Sequence, residues 1–192
     1  PNPFAIGYPG SRAPVLVDIC ASITTVSMAR TKAAAGEQFE FPWLMDNTGS
    51  PTTDPRVLEH SVPRGSLLLL GGAEYGHKGF GLALMVEALT QGLTGYGRID
   101  TPDRWGANVF LQVMDPDAFA GREQFLHQMD FIGDACRASA PVQEAGMVRL
   151  PGEQSNANIQ RAQKDGIALS EATLARLTAC ASQLKVAPLV AM

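Results

Sequence analysis

The sequence is poor in several things, and each shortage excludes something. It holds three cysteines in 192 residues, Cys20, Cys136 and Cys180, odd in number and far apart. That spacing suits reduced thiols in a cytoplasmic protein better than a disulfide framework or a zinc site. It has no basic run, and its net charge is −4, which argues against a nucleic-acid surface. No apolar run approaches the roughly 20 residues that span a bilayer, and the opening residues do not read as a secretory signal. Internal repeats and low-complexity stretches are missing. So are two nucleotide-binding signatures. A P-loop needs Lys followed by Ser or Thr directly after its last glycine, but His77 separates Gly76 from Lys78 and Gly79 stands where the hydroxyl belongs. The Gly-x-Gly-x-x-Gly fingerprint fails at its third glycine, because Gly79-Phe80-Gly81 leads to Leu84.

What is present is an ordinary globular composition, 45% hydrophobic and 18% charged, long enough for one domain or one and a half. The chain is organised around Gly71–Arg98. Gly71, Gly72, Gly76, Gly79 and Gly81 crowd into eleven residues around His77 and Lys78. Leu82, Met85, Val86, Leu89 and Leu93 follow at the spacing of a helix face. Phe80, Ala83, Leu84 and Ala88 make the other face apolar too, which predicts a buried helix. Its N-terminus carries a basic pair in a glycine turn, where free N–H groups and the helix dipole attract anions. Two readings stand side by side: a preformed anion site, most simply for cofactor phosphates, and a tight turn into a core helix with an exposed lysine.

The remaining segments read in order. Pro3–Pro9 is apolar and ends in a turn at Tyr8-Pro9-Gly10. Pro14–Ile19 reads as a buried strand interrupted by Asp18, which either meets a cofactor or caps the next helix. Ala21–Ala35 reads as a helix closed by Gly36. Met45–Pro55 is a turn-rich loop in which Asp46 and Asp54 hold the backbone rather than a substrate. Leu67–Leu70 is a short buried segment leading into the glycines. Val109–Met114 alternates like a strand, a helix opens at Asp117 or Gly121 and runs to Ala138, and His127 lies near its apolar face as a partly exposed residue. Pro141–Leu150 reads as extended. Ser170 caps a last amphipathic helix running to Lys185.

Four stretches together resemble a known family. They are Gly-His-Lys-Gly-Phe-Gly-Leu-Ala-Leu-Met-Val-Glu (Gly76–Glu87), Val17-Asp18-Ile19-Cys20-Ala21-Ser22, Pro51-Thr52-Thr53-Asp54-Pro55 and Leu150-Pro151-Gly152-Glu153. Their order and spacing resemble the malate/L-lactate dehydrogenase family of the non-Rossmann type. That family includes sulfolactate, ureidoglycolate and diketogulonate enzymes and cyclic-imine carboxylate reductases.

The resemblance implies an α/β fold with a largely antiparallel sheet flanked by helices. It implies a cofactor-binding domain over residues 1–154 and a C-terminal helical segment over 155–192 that packs on an N-terminal helical domain. It implies an NAD- or NADP-dependent oxidoreductase, cytoplasmic and homodimeric, interconverting a 2-hydroxy acid and a 2-oxo acid or reducing a cyclic imine carboxylate. Leu16, Val17, Asp18, Ile19 and Cys20, with His77, Lys78, Gly152, Glu153 and Gln154, are expected to cradle the cofactor. No metal site is expected. The family's proton-transferring histidine lies in a portion preceding an Asn-Pro pair like Asn2-Pro3, so this chain is expected to show little turnover by itself. A non-catalytic module that keeps the fold gives the same sequence signature.

Overall fold

Two proline-bordered apolar runs pair with each other. Pro3–Tyr8 (β1) and Val15–Cys20 (β2) form a two-stranded antiparallel ribbon, with Pro3 opposite Cys20 and Tyr8 opposite Val15. These strands belong to a computed structural model that describes residues 2–104, 106–142 and 146–189. The chain divides into two units, Pro1–Pro151 and Gly152–Met192. β2 is less buried than its composition predicts. Only Val15 is buried, while Leu16 and Ile19 are exposed, and among the described residues the ribbon has two strands alone.

The helix expected from Ala21 starts later, as α1 over Val26–Ala35. Residues 21–24 are committed elsewhere. Ile23 N–H donates to Leu68 C=O at 2.9 Å, and Ala21 C=O accepts from Leu70 N–H at 2.8 Å. Helix begins only once Thr25 caps it, its hydroxyl accepting from Met28 N–H. Gly36 ends it at φ 71°, the left-handed position that glycine takes without penalty. Leu44–Met45 (β3), Pro51–Thr52 (β4) and Ser66–Leu67 (β5) form a second antiparallel sheet with β3 in the middle. Leu44 is fully buried with Ala29 and Phe39, and Trp43, Val57, Leu58 and Leu67 pack around them.

Gly72–Tyr75 (α2) is a single turn that continues through Gly76 into His77–Glu87 (α3). Contrary to expectation, α3 is not a buried helix: only Gly79 is buried, and Phe80, Leu84 and Met85 are exposed. It meets its unit along one strip and leaves the other apolar face in water. Val109–Met114 is not a strand. Val109, Leu111 and Val113 are 78%, 83% and 88% exposed, and among the described residues no neighbouring backbone pairs with them; alternation makes a ladder only where an edge is offered. Pro141–Leu150 likewise forms no strand among its described residues, with 143–145 outside the described set. Arg122–Ala138 (α4) starts directly after Gly121, as one of the two expected openings has it.

In the second unit, Glu153–Asp165 (α5) takes up the asparagine-rich segment, and Glu171–Leu184 (α6) is capped by Ser170, whose hydroxyl accepts from Thr173 N–H. The architecture is therefore mixed α/β with small antiparallel sheets and six helices among the described residues.

The β1–β2 turn is clamped to α4. Asp130 accepts from Ser11 N–H at 3.0 Å and from the Ser11 hydroxyl, and Asp134 pairs with Arg12 and Arg137. The Ser11 hydroxyl and amide hold the Asp130 carboxyl below its usual range near ~4. A folded-state pKa below the unfolded one contributes stability above the unfolded value, and that contribution is lost as pH falls through the folded value. Thermal midpoints are therefore expected to stay level from pH 7 to about 5 and to drop below ~4. Asp130→Asn, measured by circular dichroism melts, should show a shallower acid decline; an unchanged decline would assign it to other carboxylates.

Candidate functional site

The end of β2 and the start of α3 are locked together. Ala21 C=O accepts from Leu70 N–H at 2.8 Å, and Leu70 C=O accepts from Gly79 N–H at 3.0 Å. Contact is close enough that a Cβ on Gly79 would lie 2.5 Å from Leu70 N, 2.6 Å from Ala21 O and 2.8 Å from Leu69 Cβ. Glycine at this position is what lets the helix backbone rest on the strand. The contact ties Cys20, one residue before Ala21, to Lys78, one residue before Gly79. Cys20 is half-buried, and its thiol lies 3.3 Å from Ser22 C=O.

A second tie comes from Asn2, which sequence reasoning left without a role. Ala21 N–H donates to Asn2 C=O at 3.1 Å, and Asn2 Nδ2 donates to Glu87 Oε1 at 2.9 Å and to Ala83 C=O at 3.3 Å. Arg98 donates to the same Glu87 oxygen at 2.6 Å, and Arg98, then Asn2, lower the Glu87 pKa. The only hint in the sequence was Glu87 itself, the one charge in the apolar run that follows Lys78.

The glycine turn is built differently from a free helix N-terminus. Gly71 at φ 102° and Gly72 at φ 67° turn the chain, and a Cβ on Gly71 would collide with the Tyr75 carbonyl. Gly76 is right-handed helical at φ −56°, so it joins α2 to α3 instead of breaking them. Two first-turn amides are already used, Gly79 N–H by Leu70 C=O and Phe80 N–H by Gly76 C=O. The preformed amide cradle for an anion is thus partly filled by the chain itself, which leaves the positive charge to Lys78. The Lys78 ammonium sits 5.3 Å over the Tyr75 ring centroid, and the His77 ring is 6.4 Å from that ring. All three side chains are exposed.

On β2, Asp18 stands opposite Ala5, exposed, and its carboxylate has no hydrogen bond or ion pair among the described residues. Thr25 does the helix capping, so Asp18 is not a cap. Leu16 N–H points out of the ribbon to Pro151 C=O at 3.1 Å. With a two-residue period, the backbone of Asp18 faces the same outer edge. Leu16 is paired on that edge, and no described backbone group pairs with Asp18 there. Gly152, Glu153 and Gln154 belong to the second unit and open α5. Gly152 at φ 95° starts α5, Glu153 supplies its first-turn carboxylate, and Gln154 Nε2 donates to Asn158 Oδ1 at 3.0 Å. Sequence reasoning thus places three elements together, and the structure joins two of them, β2 and the His77-Lys78 turn, within one unit.

Asp46 and Asp54 hold the loop, as expected. Asp46 accepts from Ser50 N–H, Thr48 hydroxyl and Thr48 N–H, and those bonds, the Ser50 amide first, lower its pKa. Asp54 forms a fork with the Arg56 guanidinium, its closest bond 2.8 Å, and is lowered chiefly by it. His127 is exposed on α4. No group of three His, Cys, Asp or Glu among the described residues is placed to hold a metal ion, and no described helix is long and apolar enough to cross a membrane. A cavity of about 1050 Å³ lies between β1 and residues 102–104 and 106–112, with Asn2, Glu87 and Arg98 in its wall. None of the expected cradle residues lines it.

An antiparallel ribbon locked to a glycine-led helix, in place of a parallel sheet with a glycine fingerprint, defines a non-Rossmann α/β class. The chain belongs to the malate/L-lactate dehydrogenase family, whose family profile matches residues 1–178. It is 31% identical to the L-sulfolactate dehydrogenase of Methanothermobacter thermautotrophicus, over 96% of this chain and 52% of that protein. It is 30% identical to a Delta(1)-pyrroline-2-carboxylate/Delta(1)-piperideine-2-carboxylate reductase of Pseudomonas syringae pv. tomato, over 92% and 50% respectively. Its fold matches the crystal structure of malate dehydrogenase from Entamoeba histolytica with a TM-score of 0.81 at 21% identity, over 96% of this chain and 55% of that one. The chain spans about half the length of the relatives it matches.

Proposed function

We propose that this chain is the dinucleotide-holding part of an NAD- or NADP-dependent oxidoreductase that interconverts a 2-hydroxy acid and a 2-oxo acid. The observation that carries the reading is the Ala21–Leu70–Gly79 hydrogen-bond chain, which ties the end of β2 to the Lys78 turn. The donor set suits a dinucleotide. Lys78 offers an exposed ammonium with no ion pair among the described residues, and the open stretch of the β2 edge offers the Asp18 N–H and C=O to a polar ring substituent. Leu16, Val17, Ile19 and Cys20 flank that stretch, His77 adds a hydrogen-bonding ring, and Gly152, Glu153 and Gln154 serve the ribose or adenine end. When bound, the nicotinamide supplies the hydride exchanged with the substrate's C2. The residues of this chain bind and orient the cofactor, and none of them is assigned the proton transfer. The similarity to a pyrroline/piperideine-2-carboxylate reductase favours reduction of a cyclic imine carboxylate as the second reading. The three free cysteines fit a cytoplasmic enzyme, and the family resemblance fits a homodimer.

Titration with NADH and with NADPH, followed by nicotinamide fluorescence, tests this. Wild type should bind at least one of them, and Lys78→Ala should weaken binding roughly tenfold, the scale of a lost hydrogen bond to a charged group. Equal affinity in the two proteins would move the site away from Lys78.

A further inference from the structure

Lys78 is one of the two lysines held over an aromatic ring among the described residues. The other, Lys32, sits 5.7 Å from the Phe39 centroid and is also paired with Glu37 at 3.0 Å. Lys78 has the ring without a carboxylate. Tyr75 is three residues before it, on the turn that runs through Gly76 into α3, so the two side chains share a face. A free lysine side chain has many rotamers, and ordering it opposes binding. A ring beneath the ammonium restricts those rotamers while leaving outward N–H groups unpaired. The Gly71 and Gly72 turn holds Tyr75 in place, since its own carbonyl packs on Gly71.

We propose that Tyr75 is a positioning residue of the nucleotide site, holding the Lys78 ammonium ready for a ligand phosphate. The role rests on the dinucleotide reading above. It assigns to the ring face, not the hydroxyl, the task of setting where the charge stands. Phenylalanine should therefore replace Tyr75, and leucine should not.

The test has two readouts on the whole chain. The first is the proton shift of the Lys78 ε-methylene by NMR. It should lie upfield in wild type and in Tyr75→Phe, because the ring current reaches it, and return to the ordinary position in Tyr75→Leu. The second is affinity for NADH and NADPH in a double-mutant cycle. Tyr75→Phe should bind within twofold of wild type, and Tyr75→Leu about two- to fivefold more weakly. In a Lys78→Ala background Tyr75→Leu should cause no further loss. Unchanged melting midpoints guard against a folding defect, and Tyr75 is exposed enough for that control to hold.

Three results overturn the proposal: no ring-current shift in wild type, full affinity in Tyr75→Leu, or the same loss with and without Lys78, which would make Tyr75 a direct contact. If wild type binds and Lys78→Ala binds less well while Tyr75→Leu is normal, the positioning role alone fails. If wild type binds neither nucleotide, the dinucleotide reading fails and takes the role with it.

Discussion

Gly79→Ala is expected to destabilise the first unit by about 2–4 kcal/mol, a fall of roughly 5–15 °C in melting midpoint for a unit of this size. The added methyl group would sit within 2.5–2.8 Å of Leu70 N, Ala21 O and Leu69 Cβ. Two of those atoms are backbone and cannot swing aside. The helix must back off, and the Gly79 N–H bond to Leu70 C=O, 3.0 Å in the native chain, lengthens or breaks. Overpacking typically costs about 1–3 kcal/mol, and the weakened bond adds about 1 kcal/mol. Gly81 is the control: a Cβ there meets nothing within 4 Å. Gly81→Ala should be neutral or slightly stabilising, since alanine is the better helix former. Calorimetric or circular dichroism melts of the two variants check this. Equal midpoints would mean that the helix does not rest on the strand at Gly79.

Leu44→Ala is expected to cost about 2–5 kcal/mol, the range for a buried leucine that leaves a cavity. Leu44 is the largest fully buried side chain among the described residues. It sits on the central strand of the second sheet, opposite Thr52 and Leu67, with Ala29 and Phe39 packed on it. Short two-residue strands offer little slack for collapse into the space. The variant separates stability from binding. Well below its melting temperature, Leu44→Ala should bind nucleotide within about twofold of wild type, whereas Gly79→Ala should lose stability and affinity together because it moves Lys78 against β2. Urea unfolding and the fluorescence titration give the two quantities. Loss of affinity in folded Leu44→Ala would tie the core sheet to the site.

How far the sequence could be read depends on what each signal needs. Local chemistry was legible. Gly36 ends α1, Gly121 precedes α4, Ser170 caps α6, and Asp46 and Asp54 hold their loop, because caps and turns are settled by a few neighbouring residues. The antiparallel architecture came from the family resemblance; the alternation of apolar runs alone would have favoured a parallel sheet. Burial was not legible. β2 and α3 have the composition of buried elements, yet Leu16, Ile19, Phe80 and Leu84 are exposed. Composition records what a segment can bury, and a partner must be present to bury it. Val109–Met114 shows the same limit, with strand-like alternation and no partner edge among the described residues. Ala21–Thr24 reads as helix locally, but its backbone pairs with Leu68–Leu70, a contact between segments more than forty residues apart in sequence.

At the site, the sequence pointed to Lys78, His77 and the β2 run but not to what joins them. The Ala21–Leu70–Gly79 bonds are backbone contacts, invisible in residue types apart from the glycine they require. Asn2 is marked only by its place before Pro3, and Tyr75 only by standing three residues before Lys78.

Hydrogen–deuterium exchange, with and without saturating NADH or NADPH, tests the central claim most directly. Nucleotide is expected to slow exchange at Asp18 and Cys20 on the open edge of β2 and at His77 and Lys78, with residues 102–104 and 106–112 beside the 1050 Å³ cavity unchanged. Protection confined to those cavity residues, with β2 and the Lys78 turn unaffected, would contradict this and place the nucleotide in that cavity.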